Sequence, residues 1–172
     1  MAPYVTIVTH PAVQSTIEQL QDRSVQPATV RALVKGATNV LAVEATLEIS
    51  PSDKTIIVPV MRSGLAMLDA TLELLDSTHN LSMHHLGLSR HLSTLEAVEY
   101  YDNISTEGRA AKYGIIVDPL LATGSTVTAA INSLKQWKVE NIIVIALIIT
   151  KEAIERISKI HTTGVQFYVG SI

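Results

Sequence analysis

Hydrophobic positions in the first part of the chain recur with the spacing of amphipathic helices. Val13, Ile17 and Leu20 follow a proline at position 11, a residue that suits the first turn of a helix. A second, longer helix is predicted from Pro27, and its apolar stripe consists of Val30, Leu33, Val34, Ala37, Val40 and Leu41. Residues 1–50 are therefore predicted to form a helical N-terminal region.

After position 54 the pattern changes to short β-branched runs that alternate with helices. The predicted strands are Thr55–Val60, Leu81–Leu88, Tyr113–Val117, Asn141–Ile149 and Gln166–Val169. The predicted helices between them are Leu65–Leu75, Ser125–Trp137 and Lys151–Ile160. This alternation over residues 55–172 predicts an α/β core, in which a mostly parallel sheet with right-handed crossovers is flanked by helices.

One segment, Ser89–Lys112, is polar and has no sustained periodicity. It is long for a loop inside a compact domain, and loops of this length usually serve as functional lids or carry a small hairpin of their own. Both interpretations stay open for this flexible loop or hairpin.

The composition fits this fold class. A length of 172 residues is typical of a single domain, and an apolar fraction of 47% with 17% charged residues excludes a disordered chain. Aromatic residues make up only 4%, so the core must be built from Val, Ile, Leu and Ala. Such a core suits parallel strands buried on both faces better than an aromatic-rich sandwich.

The charge balance and the missing cysteines exclude several kinds of function. Thirteen Lys and Arg against sixteen Asp and Glu give a net charge of −3, without the basic footprint that binds nucleic acid or an anionic membrane. A chain without cysteine has no disulfide, no thiolate nucleophile and no Cys-type zinc site. The start lacks a signal-peptide pattern, and the longest apolar run, Ile142–Ile149, is too short to span a bilayer. A cytoplasmic location is therefore expected.

The candidate chemistry lies where one apolar strand ends. This strand delivers Asp118 to the carboxyl edge of the sheet, and Pro119 prevents the ladder from continuing. Thr123, Gly124, Ser125 and Thr126 then open a helix. Exposed backbone N–H groups, hydroxyls and the helix dipole would make this turn a phosphate cradle. The alternative is that Ser125 or Thr126 only caps the helix and that Asp118 is only a turn residue.

The run VDPLLATGST resembles the motif that binds phosphoribosyl pyrophosphate (PRPP) in type I phosphoribosyltransferases. Its Asp-Pro pair is similar to the uracil phosphoribosyltransferase version in particular. Val58–Met67 is similar to the family's pyrophosphate loop, and Leu86–Arg90 followed by Thr94–Tyr101 to its strand and flexible loop. Weaker likenesses are Glu44–Thr46 and the His-Pro pair at positions 10–11. The resemblance covers nearly the whole chain and implies the type I phosphoribosyltransferase fold.

The resemblance also implies roles for individual residues. Arg62 and Arg90 would hold the pyrophosphate by forked hydrogen bonds, and Asp118 would accept from the ribose hydroxyls and support the cationic ring carbon. These three are the candidate catalytic residues, although each arginine could instead form a surface or interface ion pair. The remaining PRPP-binding candidates are Ser63, Gly64, Pro119, Leu120, Leu121, Ala122, Thr123, Gly124, Ser125 and Thr126.

The same resemblance predicts a lid, a metal and an oligomer. The lid would exclude water from the reacting carbon, and its candidate residues are Thr94, Leu95, Glu96, Tyr100 and Tyr101. Mg²⁺ would arrive with PRPP, held largely by substrate oxygens and water rather than by protein ligands. His79, His84, His85 and His91 lack the spacing of a zinc-binding helix. A homodimer or a higher homo-oligomer is expected.

Two functions remain after this comparison of motifs. The first is transfer of the phosphoribosyl group from Mg-PRPP to uracil or another pyrimidine base, giving UMP in the case of uracil. The second is a non-catalytic PRPP-binding homologue with weak or absent transfer. The family's uracil-recognising Gly-Asp-Ala segment has no counterpart in these 172 residues, which favours the second, whereas Arg62, Arg90 and Asp118 favour the first. An RNA-binding role on the same fold is disfavoured by the net charge.

Overall fold

The computed structural model describes residues 4–75, 79–90, 97–102 and 110–172, with the backbone alone for 86–90 and 97–102. Its strands are β1 (Tyr4–Ile7), β2 (Thr55–Pro59), β3 (Leu81–Met83), β4 (Leu86–Arg90), β5 (Ala97–Asp102), β6 (Tyr113–Val117), β7 (Leu120–Leu121), β8 (Asn141–Ile149) and β9 (Val165–Ser171). Its helices are α1 (Pro11–Leu20), α2 (Pro27–Thr46), α3 (Leu65–Leu74), α4 (Ser125–Gln136) and α5 (Lys151–Ile160).

The main sheet is parallel, in the order β1-β9-β8-β6-β2-β3, and β7 pairs with the end of β8. Val117, the last residue of β6, lies opposite Pro59 of β2 and Ile145 of β8. The loops that follow these neighbouring strands therefore leave from one edge of the sheet. The predicted α/β fold with a mostly parallel sheet is confirmed.

Helices cover both faces of the sheet because its central strands are apolar on both sides. Ile131 and Leu134 of α4 pack with Val144 and Phe167 on one face. On the other face, helices α1, α2 and α3 contribute the buried side chains Val13, Leu41 and Met67. Over the described residues, no helix combines the length and apolarity needed to cross a membrane.

The N-terminal region contains a strand that the pattern of helices did not predict. Strand β1 pairs in parallel with β9, with Tyr4 opposite Gln166 and Ile7 opposite Val169. Its two end residues are exposed and its two middle residues are half-buried, so this four-residue strand lacks the alternation of buried and exposed residues that marks a strand. Strand β1 forms because it pairs with β9 at the far end of the chain. A local sequence pattern contains no information about such a distant partner.

The single strand predicted over Leu81–Leu88 is wrong. Residues Leu81–Met83 form the last strand of the main sheet beside β2, whereas Leu86–Arg90 pairs antiparallel with Ala97–Asp102 in a separate two-stranded sheet. His84 and His85 separate the two strands. The hairpin predicted around residues 89–112 is confirmed, but its first strand begins before position 89.

Candidate active site

A cavity of about 380 Å³ opens at the carboxyl edge of the sheet, between the loop after β2 and the turn after β6. Parallel α/β sheets bind their ligands at this edge. The residues that line it come from both of these segments and from the start of α4, and they are Val60, Met61, Ser63, Asp118, Leu120, Leu121, Ala122, Thr123, Gly124, Thr126 and Val127.

Asp118 is a buried carboxylate that faces this cavity. Its backbone N–H donates to Ile145 O of β8 at 3.2 Å, and only 7% of the residue is exposed. Its Oδ1 accepts a hydrogen bond from Ser63 Oγ at 2.7 Å, and the carboxylate also accepts from the backbone N–H of Leu120. Burial raises the pKa of Asp118 to about 6, against the lowering effect of these two hydrogen bonds. The group is therefore ionised at neutral pH and close to its titration range.

The turn after Asp118 is anchored to β8. The carbonyl of Pro119 accepts hydrogen bonds from the N–H groups of Leu147 and Ile148, both at 3.1 Å. At the next residue, Leu120, pairing with β8 resumes as strand β7, a short strand that the expected interruption at Pro119 did not predict. The hydroxyl of Thr150 donates to Ala122 O and accepts from Ala153 N, so one side chain connects the turn to the start of α5.

The segment predicted from the sequence to cradle a phosphate is a tight turn at the start of α4. Gly124 precedes the helix with φ of +72°, and a Cβ there would lie 3.1 Å from the Cα of Ala153. Neither Ser125 nor Thr126 is the N-cap residue, because the helix begins at Ser125, whose hydroxyl lies 3.0 Å from that of Thr123. The first N–H groups of a helix have no acceptor within it, so they are available to an anion.

The loop after β2 packs closely against the end of β6. Val60 N–H donates to Val117 O at 3.0 Å, and Gly64 N–H donates to Val60 O at 2.8 Å. A Cβ on Gly64 would lie 2.2 Å from Val117 O, a distance that excludes any larger residue without a shift of the backbone. The Met61–Arg62 peptide bond in this loop is cis. Gly64 thus brings Ser63 next to Asp118.

Not every predicted site residue meets at this cavity. Ser63, Asp118 and the turn Leu120–Thr126 come together, apart from Ser125, which does not line the cavity wall. Arg62 is exposed and lies between two lining residues without lining the cavity itself. Arg90 ends β4, and its side chain is outside what the structure describes.

The predicted lid falls mostly outside the described residues. Thr94, Leu95 and Glu96 are not described, and Tyr100 and Tyr101 are placed only through the backbone of β5. The lid remains a prediction.

The histidines and acidic residues form no metal site in the described parts of the chain, where no group of three or more His, Cys, Asp or Glu could hold a metal ion. The ring of His84 packs against Trp137 with centroids 5.7 Å apart. Position 91 lies outside the described residues.

Sequence reasoning missed several residues of the site. Val60, Met61 and Val127 line the cavity with apolar groups, and Thr150 holds Ala122 from the following strand–helix junction. Val60 and Met61 lie inside the recognised segment Val58–Met67, and Val127 directly follows the recognised run that ends at Thr126, so their position in the sequence was an available signal. No signal in the sequence pointed to Thr150, because it lies 28 residues from Ala122, whose carbonyl accepts its hydrogen bond.

The sequence matches the family model described as uracil phosphoribosyltransferase over residues 46–172. The chain is 36% identical over 168 residues to urg2 of Schizosaccharomyces pombe, covering 98% of this chain and 78% of urg2. It is 31% identical over 175 residues to the uracil phosphoribosyltransferase of Caulobacter vibrioides, covering 91% and 82% of the two chains.

Solved structures confirm the predicted type I phosphoribosyltransferase fold. The AQ2163 protein of Aquifex aeolicus superimposes with a TM-score of 0.85 at 22% identity, over 97% of this chain and 86% of that one. A hypoxanthine phosphoribosyltransferase of Staphylococcus aureus superimposes with a TM-score of 0.59 at 17% identity, over 80% and 71% of the two chains.

Proposed function

Because the chain belongs to the uracil phosphoribosyltransferase family, we propose that it transfers the phosphoribosyl group of PRPP to uracil, giving UMP and pyrophosphate. In this reaction the bond from C1 of the ribose to the pyrophosphate oxygen breaks, the bond from C1 to N1 of uracil forms, and the N1 proton is released. The non-catalytic alternative receives no support from relatives named for the transferase activity.

One observation carries the proposal: a buried carboxylate and a helix N-terminal turn face the same cavity. The turn at Ala122–Thr126 would hold the 5′-phosphate through backbone N–H groups and hydroxyls. Asp118 would accept hydrogen bonds from the ribose hydroxyls. The pyrophosphate would then extend toward the loop that carries Arg62, and Arg90 would complete its binding from β4.

Asp118 would also act on the charge that develops during the reaction. C1 becomes cation-like as pyrophosphate departs, and a carboxylate held by Ser63 and Leu120 needs little reorganisation to face it. Its burial increases the electrostatic interaction because little water screens it. A lid over the cavity would keep water from capturing the same carbon.

The residues present fit a Mg²⁺ ion that arrives with its substrate. Within the described parts of the chain, Asp118 is the one acidic residue on the cavity wall, too few for a protein cage. Magnesium usually keeps several waters and binds substrate phosphates at such sites. When bound, Mg²⁺ would neutralise charge on the leaving pyrophosphate.

The decisive test is product analysis after mixing the protein with uracil and Mg-PRPP. We expect UMP at a kcat/KM of about 10⁴ M⁻¹s⁻¹ or more, a value ordinary for enzymes. Cytosine, orotate and hypoxanthine serve as alternative bases in parallel reactions. Absence of nucleotide product with every base would contradict the proposal.

Binding is tested separately by thermal or chemical unfolding with Mg-PRPP. At one hundred times its Kd, a ligand that binds only the folded state adds about 2.7 kcal/mol to the free energy of unfolding. Stabilisation without product would identify the non-catalytic alternative, whereas an unchanged stability would contradict PRPP binding.

The proposal includes a homodimer and a cytoplasmic location, both predicted from the sequence. Support for the dimer comes from exposed apolar side chains at the C-terminal end of α2, where Val43 is 46% exposed and Leu47, just beyond the helix, is 72% exposed. Light scattering at micromolar concentration tests the dimer, and a monomer would contradict it. Cell fractionation tests the location.

A further inference from the structure

The hydrogen bond between Ser63 and Asp118 joins two loops that are 55 residues apart in the sequence. The Oγ–Oδ1 distance is 2.7 Å, and both residues line the cavity. Ser63 belongs to the loop after β2, where the pyrophosphate is proposed to bind, and Asp118 belongs to the turn at which the ribose is proposed to bind. The bond therefore connects the two halves of the proposed substrate site.

Ser63 is held in place by the backbone around it. Its carbonyl accepts a hydrogen bond from Ala66 N–H at 3.1 Å in the first turn leading into α3. The next residue, Gly64, has no space for a Cβ against Val117 O. The serine hydroxyl thus extends from a fixed backbone toward the carboxylate.

The geometry favours an action through Asp118 over direct contact with the substrate. A serine hydroxyl has one proton to donate, and here that proton is directed to Oδ1 of Asp118. No other charged side chain among the described residues lines the cavity, so no ion pair orients the carboxylate there. The Asp118 carboxylate instead accepts hydrogen bonds from two neutral donors, the Ser63 hydroxyl and the Leu120 N–H group.

We propose that Ser63 is a positioning residue, which orients the Asp118 carboxylate toward the ribose hydroxyls of PRPP and favours its charged form. The inference rests on the proposed function, since it assigns the carboxylate to PRPP. It is supported by the direction in which the bond acts: the Ser63 hydroxyl lowers the pKa of Asp118, whereas burial raises it.

The test compares the wild type with Ser63→Ala and Ser63→Thr by titration calorimetry with Mg-PRPP across the pH range from about 5 to about 8. Loss of a hydrogen bond to a charged group is expected to weaken binding about 10-fold at neutral pH. The pH below which binding is lost should also rise, by about one pH unit, because Asp118 holds its proton more tightly without Ser63. The threonine variant keeps the hydroxyl and should restore both properties.

The matched control is Ser15→Ala, which removes an exposed hydroxyl on α1 away from the cavity wall and should leave both properties unchanged. If Ser63→Ala fails to fold, Ser63→Cys, with a weaker donor of similar size, should give a smaller shift in the same direction.

Two results would overturn the inference while the proposed function stands. One is wild-type binding by Ser63→Ala, and the other is weaker binding with an unchanged pH dependence. Failure of the wild type to bind Mg-PRPP would overturn the proposed function itself, and the inference with it.

Discussion

At the scale of single residues, Asp118 combines two properties that oppose each other. It directly follows the apolar strand β6 and is 7% exposed, and this burial raises its pKa from 3.8 to about 6. The folded protein therefore binds this proton more tightly than the unfolded chain does. Through this group, the free energy of unfolding falls as the pH rises from about 4 through about 6, and it levels off once Asp118 is fully ionised in the folded protein. The carboxylate lowers stability at neutral pH, where the proposed activity needs it charged.

Replacing Asp118 with Asn is expected to reduce UMP formation at least about 100-fold, because the neutral amide cannot support the cationic carbon. The same change should stabilise the ligand-free protein by about 1–3 kcal/mol at neutral pH, since the cost of burying a charge is removed. Urea unfolding at a series of pH values measures this gain, which should shrink toward zero near pH 4. A gain that does not depend on pH would contradict the assigned cause.

The sequence could predict Asp118 and the turn that follows it because they form one contiguous motif at the end of an apolar run. It could not predict the contact of Asp118 with Ser63, since a bond across 55 residues depends on how two parallel strands are registered. Arg62 shows the converse case: its motif was recognised, yet its exposed side chain is not part of the cavity wall.

At the scale of elements, the site depends on how closely the loop after β2 approaches the end of β6. Gly64 permits this approach, and Val60 N–H fixes it through its bond to Val117 O. In the sequence this glycine lies between the predicted strand Thr55–Val60 and the predicted helix Leu65–Leu75. The sequence could not predict that the glycine packs against the end of β6, because this contact depends on the sheet order, in which β2 lies beside β6.

Gly64→Ala is expected to destabilise the protein by about 2–3 kcal/mol, because the new Cβ meets backbone atoms that must shift. Mg-PRPP binding should be lost together with this stability, as the loop moves away from Asp118. Denaturant unfolding and calorimetry measure the two effects.

The matched control is Gly36→Ala in α2, where an added Cβ has nothing within 4 Å. A helical alanine there should stabilise by about 0.5–1 kcal/mol and leave binding unchanged. Equal effects of the two substitutions would show that close packing at Gly64 is unimportant.

Hairpin strands and edge strands were the elements that the sequence predicted least well. The segment Leu81–Leu88, with its Leu and Met side chains on both sides of two histidines, was predicted as one strand, but its two halves join different sheets. Strand β1 was missed because its short run is stabilised by β9. In both cases the outcome depends on pairing partners distant in sequence, whereas the long helices and β8 are determined by their own periodicity or apolar length.

At the scale of the whole molecule, one sheet separates two hydrophobic clusters. Leu41 of α2 is fully buried in one cluster, and Ile131 of α4 is fully buried in the other. Because alternate residues of the same strands serve both clusters, we expect the two faces to unfold together as the single domain predicted from length and composition.

Leu41→Ala and Ile131→Ala are each expected to lower the free energy of unfolding by about 2–5 kcal/mol. Trp137, the one tryptophan of the sequence, lies in the cluster that contains Ile131 and reports on that face by fluorescence. Leu41→Ala, on the opposite face, should nevertheless shift the Trp137 transition by the same amount as the transition seen by circular dichroism. A fluorescence transition that stays at its wild-type position would show two independently folding units.

The make-up of the cavity wall has a consequence for how the protein responds to its ionic surroundings. The described lining contains no lysine or arginine, so the sugar phosphate would be attracted by fixed dipoles at contact distance, whereas the pyrophosphate would face the exposed Arg62. Dissolved ions screen exposed charges over a Debye length of about 10 Å at 0.1 M salt, but they weaken short hydrogen bonds in a partly buried turn much less. Rising ionic strength would thus loosen the pyrophosphate end of the substrate before the phosphate end. PRPP would remain bound through its 5′-phosphate while its pyrophosphate, the leaving group, is held less tightly.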